Sequence, residues 1–479
     1  MPDKKPNIIY LFSDQHRHDA MGCAGNPVVQ TPNLDTMADD GVRFTRAYCQ
    51  SPICQPSRAS VITGWYTHQH GISANFAKDL DPEWPTMMNK LQDAGYTTAQ
   101  VGKTHFYTPG RDLVARKAPE VDLREYTDFV RSFGFDYVVE EFDRYMHAFP
   151  DISFITPYSE YLRAKDLLKP YQEQIRSIWR ITPHHWDGVT SVLPQEDDLT
   201  CFIADQSIEW LKNYDGEKPF FLMVSFVQPH VPLMADPIWA EYYKDAEIPF
   251  GPRQAPENPN EVWGQYLEQR LFKHSNSHLL TDEYVLKGAR QYYGMVSLID
   301  QRIGDIINAV QDRGWADNTW FLYSADHGEM LGDHNLMAKM NFYKSSVLVP
   351  AIIRPPKPVS SKVEDGIIES IDLTRTVLDI AGAEEIEDSR GMSLLPFLQG
   401  QGSGREVAFS AIESRRDGYF VMAATERYRM TLERNTGTVC ELFDLKEDPD
   451  ELKNLVNDPN CKGICQELKK VYIDPHLAY

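Results

Sequence analysis

Asn7-Ile8-Ile9-Tyr10-Leu11-Phe12 is a continuous apolar run that stops abruptly at Ser13-Asp14-Gln15-His16-Arg17. A run without polar alternation fits a strand buried on both faces, as in a parallel sheet covered by helices. In open sheets of that kind ligands sit beyond the carboxyl ends of the strands, where Asp14 and Gln15 stand. The same arrangement recurs three times. Thr97–Val101 runs into Gly102-Lys103-Thr104-His105-Phe106, and Pro219–Val227 runs into Gln228-Pro229-His230-Val231-Pro232. Thr319–Tyr323 runs into Ser324-Ala325-Asp326-His327-Gly328-Glu329, with Gly332-Asp333-His334 and Lys339 beyond. Each tail taken alone also reads as a solvated polar loop.

Helical segments separate these strands. One starts at Thr31-Pro32, one runs from Trp84-Pro85 to Gly95, and one covers Asp197–Asn213. Tyr292–Arg313 is amphipathic, with Val296, Ile299, Ile303, Ile306, Ile307 and Val310 on one face and Gly314 as its stop. Such alternation predicts an α/β fold: a large, doubly wound, mostly parallel sheet flanked by helices. Val42–Tyr48 and Val347–Arg354 read as further strands, and Ser370 as the N-cap of a helix to about Ala383. Short strands at Val407–Ser410, Tyr419–Ala424, Tyr428–Glu433 and Val439–Asp444 then predict a small antiparallel sheet. We therefore expect a catalytic α/β domain over residues 1–385 and a C-terminal subdomain over 386–479. Residues 107–195, irregular and rich in aromatics, read as an insertion over the mouth of the site. Within it, Trp179-Arg180-Ile181-Thr182-Pro183-His184-His185-Trp186 suits either substrate selection or tryptophan packing, and adjacent histidines do not share a helix face.

Bulk properties narrow the function. The 479-residue chain has a formal net charge of −22, which argues against general binding to nucleic acid or anionic membrane. An anionic substrate must then be drawn in by local positive charge. No apolar run approaches the roughly 20 residues of a membrane span. The chain enters a strand directly after Met1-Pro2-Asp3-Lys4-Lys5, which predicts a cytoplasmic protein, or a periplasmic or secreted one whose leader is missing. Seven cysteines in so long a chain do not suggest a disulfide framework. Cys461-x-x-x-Cys465 lacks a second pair or nearby histidines for a metal site, and reads as two cysteines near the surface of the last helix.

Ser51-Pro52-Ile53-Cys54-Gln55-Pro56-Ser57-Arg58 precedes a short apolar helix. Pro56 suits a first helical turn, which puts Cys54 at a helix amino end where anions are favoured. Arg58 adds a fixed charge one turn on. A cysteine there is a low-pKa thiolate or a residue that meets an oxyanion; a bare Cys-x-Pro is more simply a buried cysteine at a turn. The full spacing, Cys-x-Pro-Ser-Arg followed by Val61-x-Thr63-Gly64, resembles the signature of the type I sulfatases of the alkaline phosphatase-like superfamily. Asp14-Gln15-x-Arg17-x-Asp19, Gly102-Lys103-x-His105, Ser324-x-Asp326-His327-Gly328 and Lys339 resemble further motifs of that family. Val61 stands where Leu is usual, Gln15 where most members have Asp, and Lys344 follows Phe342-Tyr343 where Glu is common.

The resemblance implies hydrolysis of a sulfate monoester to an alcohol and sulfate. It implies that a formylglycine-generating enzyme converts Cys54 to formylglycine, and that Asp14, Gln15, Asp326 and His327 hold one divalent cation. Oxygen-rich ligands and the family favour calcium, with manganese or magnesium as alternatives. His230 and Lys339 are implied to bind and protonate the leaving oxygen. His105, held by Lys103, is implied as the base that frees sulfate from a sulfated hemiacetal, and Arg58 completes the catalytic set. Sugar, aryl and choline sulfates all fit as substrates. Two alternatives stand: a phosphonate monoester or phosphodiester hydrolase of the same superfamily, and an unmodified relative that only binds sulfated ligands. Lys103 and His105 favour the sulfatase.

Overall fold

The computed structural model describes residues 5–109, 120–148, 153–180, 186–256, 261–359, 362–414 and 418–478. Nine strands build the main sheet: β1 (Asn7–Asp14), β2 (Val42–Tyr48), β3 (Thr97–Lys103), β4 (Tyr137–Glu141), β5 (Phe220–Pro229), β6 (Thr319–Ala325), β7 (Leu348–Val349), β8 (Ala351–Arg354) and β9 (Lys362–Glu369). Their order is β7-β2-β8-β6-β1-β5-β3-β4, with β9 beside β2. Five consecutive strands, β6-β1-β5-β3-β4, are all parallel. β1 lies in the middle and is buried at every residue, which explains its unbroken apolar run.

Helices close both faces. Isoleucines of α3 (Asp282–Asp312) and residues of α2 (Leu199–Asn213) share one core with Ile9, Leu11, Leu222 and Val224. On the other face α1 (Cys54–Thr63) and α4 (Ser370–Ala381) pack with Ile8, Tyr10, Met223 and Leu322. The doubly wound α/β architecture expected from the sequence is thus the observed one. β10 (Val407–Ser414), β11 (Gly418–Thr425), β12 (Tyr428–Glu433) and β13 (Thr438–Asp444) form a separate four-stranded antiparallel meander.

Four local expectations need correction. β4 falls inside the segment read as an insertion, yet it pairs in parallel with β3 and is an edge of the main sheet. Val347–Arg354 is not one strand. Pro350 has no N–H for a ladder, and β7 and β8 on either side of it run antiparallel to β2. α3 begins ten residues earlier than its large apolar face, at Asp282, where the Thr281 hydroxyl accepts the N–H of Tyr284 at 3.2 Å. Its early turns pack through small residues, and a Cβ on Gly288 would lie 2.9 Å from Leu233. α4 is capped by Glu369, whose N–H donates to Asp372 at 2.8 Å, and Ser370 is already its first residue.

Candidate active site

Parallel neighbours end along one edge, so the strand tails that look unrelated in sequence meet there. β1 ends in Asp14 and β3 in Lys103; His230 follows β5 directly, and Asp326 and His327 follow β6. α1 points its amino end at the same place, with Cys54 as first residue and Ile53 as N-cap. The Cys54 sulfur lies 3.1 Å from Nε2 of His327 and 3.8 Å from Oδ1 of Asp14. Nε2 of His327 is in turn 3.6 Å from Oδ1 of Asp326. Nδ1 of His327 faces the carbonyl of Gly328 at 2.9 Å, and a carbonyl only accepts, so Nδ1 carries the proton. The Nε2 lone pair is left for the centre of the site, the form in which imidazole binds a metal.

Arg58 fixes the two carboxylates. Its Nε donates to Asp326 Oδ2 at 2.8 Å and its Nη2 to Asp14 Oδ2 at 3.3 Å. Nη1 donates to the carbonyl of Lys103 at 2.8 Å and to Oγ of Ser225 at 2.9 Å. The fork therefore ties four elements together, and Arg58 acts on the site by holding its other members. Each carboxylate turns Oδ2 to Arg58, while Oδ1 of Asp14 faces Cys54 and Oδ1 of Asp326 accepts the N–H groups of Gln15 and His327. One donor atom each from Asp14, Cys54, Asp326 and His327 lies within 4.8 Å of all the others. Two carboxylates and an imidazole lone pair this close fit a divalent cation in charge and in donor type. Gln15 is at the edge of the group. Its N–H donates to Asp326 Oδ1 at 2.9 Å, while its side-chain amide accepts from Lys339 and donates to Glu329. To ligate a cation its carbonyl oxygen must share its second lone pair or release Lys339.

Burial would push the carboxyl of Asp14 up. Lys103 at 2.5 Å, with His230, Arg58 and Lys339, outweighs that and holds it well below the usual carboxylate range. Burial likewise opposes charge on Lys103, but Asp14 and Asp143 raise its pKa above the ordinary lysine value. His105 is fully buried between Phe76 and Phe142, with neither ring nitrogen hydrogen-bonded. Burial first, then the Lys103 charge, keep its pKa well below the ordinary histidine value, so it is neutral at pH 7. The structure brings Lys103 to Asp14 and Asp143, and no hydrogen bond joins it to His105. Gln15, His105, Ala338 and Met340 all have φ between 56° and 74°, so the backbone around the site holds non-glycine residues in the left-handed region.

Two site residues escaped the sequence reading. Asp143, just past the end of β4, contacts Lys103; Glu329, fully buried, supports Gln15. The strand-end logic applied to β1, β3, β5 and β6 would have found Asp143 had Tyr137-Val138-Val139 been read as a strand. Lys344 is directed elsewhere: its ammonium donates to Pro449 O at 2.8 Å and Asp450 at 2.6 Å. His184 and His185 lie outside the described residues; Trp186 is buried and packs edge-on against His274. All seven cysteines are free, and Cys465 is buried rather than near the surface.

Comparison with known proteins gives this geometry its family. The sulfatase family model matches residues 6–383, and the model for the N-sulphoglucosamine sulphohydrolase C-terminal region matches residues 332–475. The chain belongs to the sulfatase family. As a sulfatase it is a hydrolase of sulfuric esters. It is 29% identical to an arylsulfatase of Clostridium perfringens, covering 98% of this chain and 94% of that one. It is 26% identical to an N-acetylglucosamine-6-O-sulfatase of Bacteroides thetaiotaomicron, covering 99% and 87%. Among solved structures, the phosphonate monoester hydrolase of Agrobacterium radiobacter superposes with a TM-score of 0.78 at 23% identity, covering 98% of this sulfatase and 95% of that chain. Among the described residues no helix of this sulfatase is long and apolar enough to cross a membrane.

Proposed function

We propose that residue 54, after a formylglycine-generating enzyme has oxidised Cys54, is the nucleophile in hydrolysis of a small sulfate monoester. The observation that carries this is the position of Cys54: first residue of a helix, within 3.8 Å of both Asp14 and His327. Asp14, Asp326 and His327, with Gln15 at the edge, would hold one divalent cation, and their oxygen-rich set favours calcium over manganese or magnesium. Such a cation supplies Lewis-acid stabilisation of anionic oxygen, and formylglycine supplies a hydrated aldehyde as oxygen nucleophile.

The chain's own residues do the rest. Arg58 keeps Asp14 and Asp326 oriented. Lys103 and Lys339 offer ammonium donors to the ester oxygens, each worth about 3–4 kcal/mol when aimed at a transition-state oxyanion. His230 donates Nδ1–H to the carbonyl of Val231 at 3.0 Å, which leaves Nε2 as the edge that exchanges a proton with the leaving oxygen. His105, neutral and without a hydrogen-bond partner, is the base for proton removal at residue 54. The alcohol half is a sugar, aryl or choline-type group. Residues 1–385 would form the catalytic domain and 386–479 its C-terminal subdomain.

Peptide mass spectrometry of enzyme produced with a competent maturation system tests the reading. Formylglycine at position 54, with Cys54→Ala folded but inactive, is expected. An intact, alkylatable thiol in fully active enzyme would leave the protein without this mechanism.

A further inference from the structure

We propose that Asp143 is a positioning residue of this site: it holds the Lys103 ammonium against Asp14 and sets the ring of His230 for proton transfer to the leaving oxygen. The inference rests on the roles proposed above for Lys103 and His230. Four of the five consecutive parallel strands deliver a site residue at or just beyond their carboxyl ends, namely Asp326, Asp14, His230 and Lys103. The fifth, β4, delivers Asp143, 2% exposed. Its Oδ1 contacts Lys103 Nζ and lies 3.7 Å from His230 Nδ1, and its Oδ2 accepts the Tyr145 hydroxyl at 3.0 Å.

An ammonium has three N–H donors. Asp14 and Asp143 take two from Lys103, which directs the third in a fixed direction for an ester oxygen. Without Asp143 the ammonium could fold onto Asp14 alone. The negative charge of Asp143 also sits beside the protonated edge of His230, whose N–H is already committed to Val231. In the step served, the bond from sulfur to the alcohol oxygen breaks and its electron pair stays on that oxygen. The sulfuryl group passes to the deprotonated oxygen nucleophile at residue 54, and a proton from His230 Nε2 reaches the leaving oxygen. Asp143 touches none of the reacting atoms.

The test compares 4-nitrophenyl sulfate, whose leaving oxygen needs no proton, with phenyl sulfate, whose leaving oxygen does. In the full-length, metal-loaded enzyme, Asp143→Asn should lower kcat/KM on phenyl sulfate at least about 10-fold more than on 4-nitrophenyl sulfate, part of the roughly 10²–10⁴-fold that a general acid contributes. Metal content should be unchanged. Should the asparagine variant fail to fold, Asp143→Glu takes its place, with the same uneven loss expected at smaller size. An equal loss on both esters, or none, overturns the proposal. His230→Ala separates the two layers of the argument. If it too loses both activities equally, the role of His230 falls; if it is uneven while Asp143→Asn is even, only the role of Asp143 falls.

Discussion

Arg58→Met should destabilise the metal-free protein, and unequally with respect to the two carboxylates it holds. The methionine matches the length of the arginine stem and removes every donor. Asp326 then loses its guanidinium partner and keeps the N–H groups of Gln15 and His327. Asp14 keeps Lys103 at 2.5 Å. Removing one partner of a buried ion pair costs about 3–5 kcal/mol, because the other charge stays behind without compensation. Most of that should therefore appear at Asp326. Equilibrium urea unfolding in chelator, followed by fluorescence and circular dichroism, gives the loss for Arg58→Met, Asp326→Asn, Asp14→Asn and the two doubles. We expect a coupling of about 2–3 kcal/mol between positions 58 and 326, and under about 1 kcal/mol between 58 and 14. A loss below about 1 kcal/mol for Arg58→Met, or equal coupling to both aspartates, would refute the account of Arg58 as their clamp.

Exhaustive chelation should abolish sulfatase activity, and Asp326→Ala should do so even at high cation concentration. Retained activity with no metal by elemental analysis would contradict the cation site. Aryl sulfate should be hydrolysed with higher kcat/KM than phenyl phosphonate, and Lys103→Ala should cost the sulfate reaction more; a native preference for phosphonate, untouched by Lys103→Ala, would favour the phosphonate hydrolase reading. Burial raises the carboxyl of Glu141 to about 8, against hydrogen bonds from Thr156 and Tyr158 that lower it. A raised carboxyl contributes stability below its unfolded pKa and loses it as pH rises through the folded one. Wild type should therefore lose more urea resistance between pH 5 and pH 8 than Glu141→Gln does, and parallel losses would contradict this.

Much of this site can be read from sequence because a parallel sheet sends every strand end to one edge. Once Asn7–Phe12 is read as a doubly buried strand, strand-end position brings Asp14, Lys103, His230 and Asp326 to one edge, and the resemblance to the sulfatase motifs singles them out there. What escaped obeys weaker patterns. β4 is an edge strand with its first three residues only half-buried, so it lacks the long apolar run that marked β1 and β5. Asp143 was hidden with it. β8 carries the same apolar residues as a parallel strand, and side-chain pattern does not record strand direction. The orientations of Gln15 and His105 depend on positive φ, which these residue types seldom adopt and which no neighbouring glycine signals. Lys344 stands out in sequence only as a departure where Glu is common, because its partner Asp450 lies over a hundred residues on.

The central place of β1 sets a schedule for synthesis. Both of its neighbours, β5 and β6, lie far downstream, and α1, buried at every residue, covers a sheet that is incomplete until β6 exists. Ala325 leaves the ribosome roughly 270 residues after Cys54, which at 5–20 residues per second is about 15–55 s. During that interval the cysteine belongs to an unfinished chain and is open to solvent and to a modifying enzyme. After it, the same residue is 1% exposed at the bottom of a closed sheet edge. If Cys54 is oxidised as proposed, that oxidation runs against the growth of its own chain, and slower translation should raise the fraction converted.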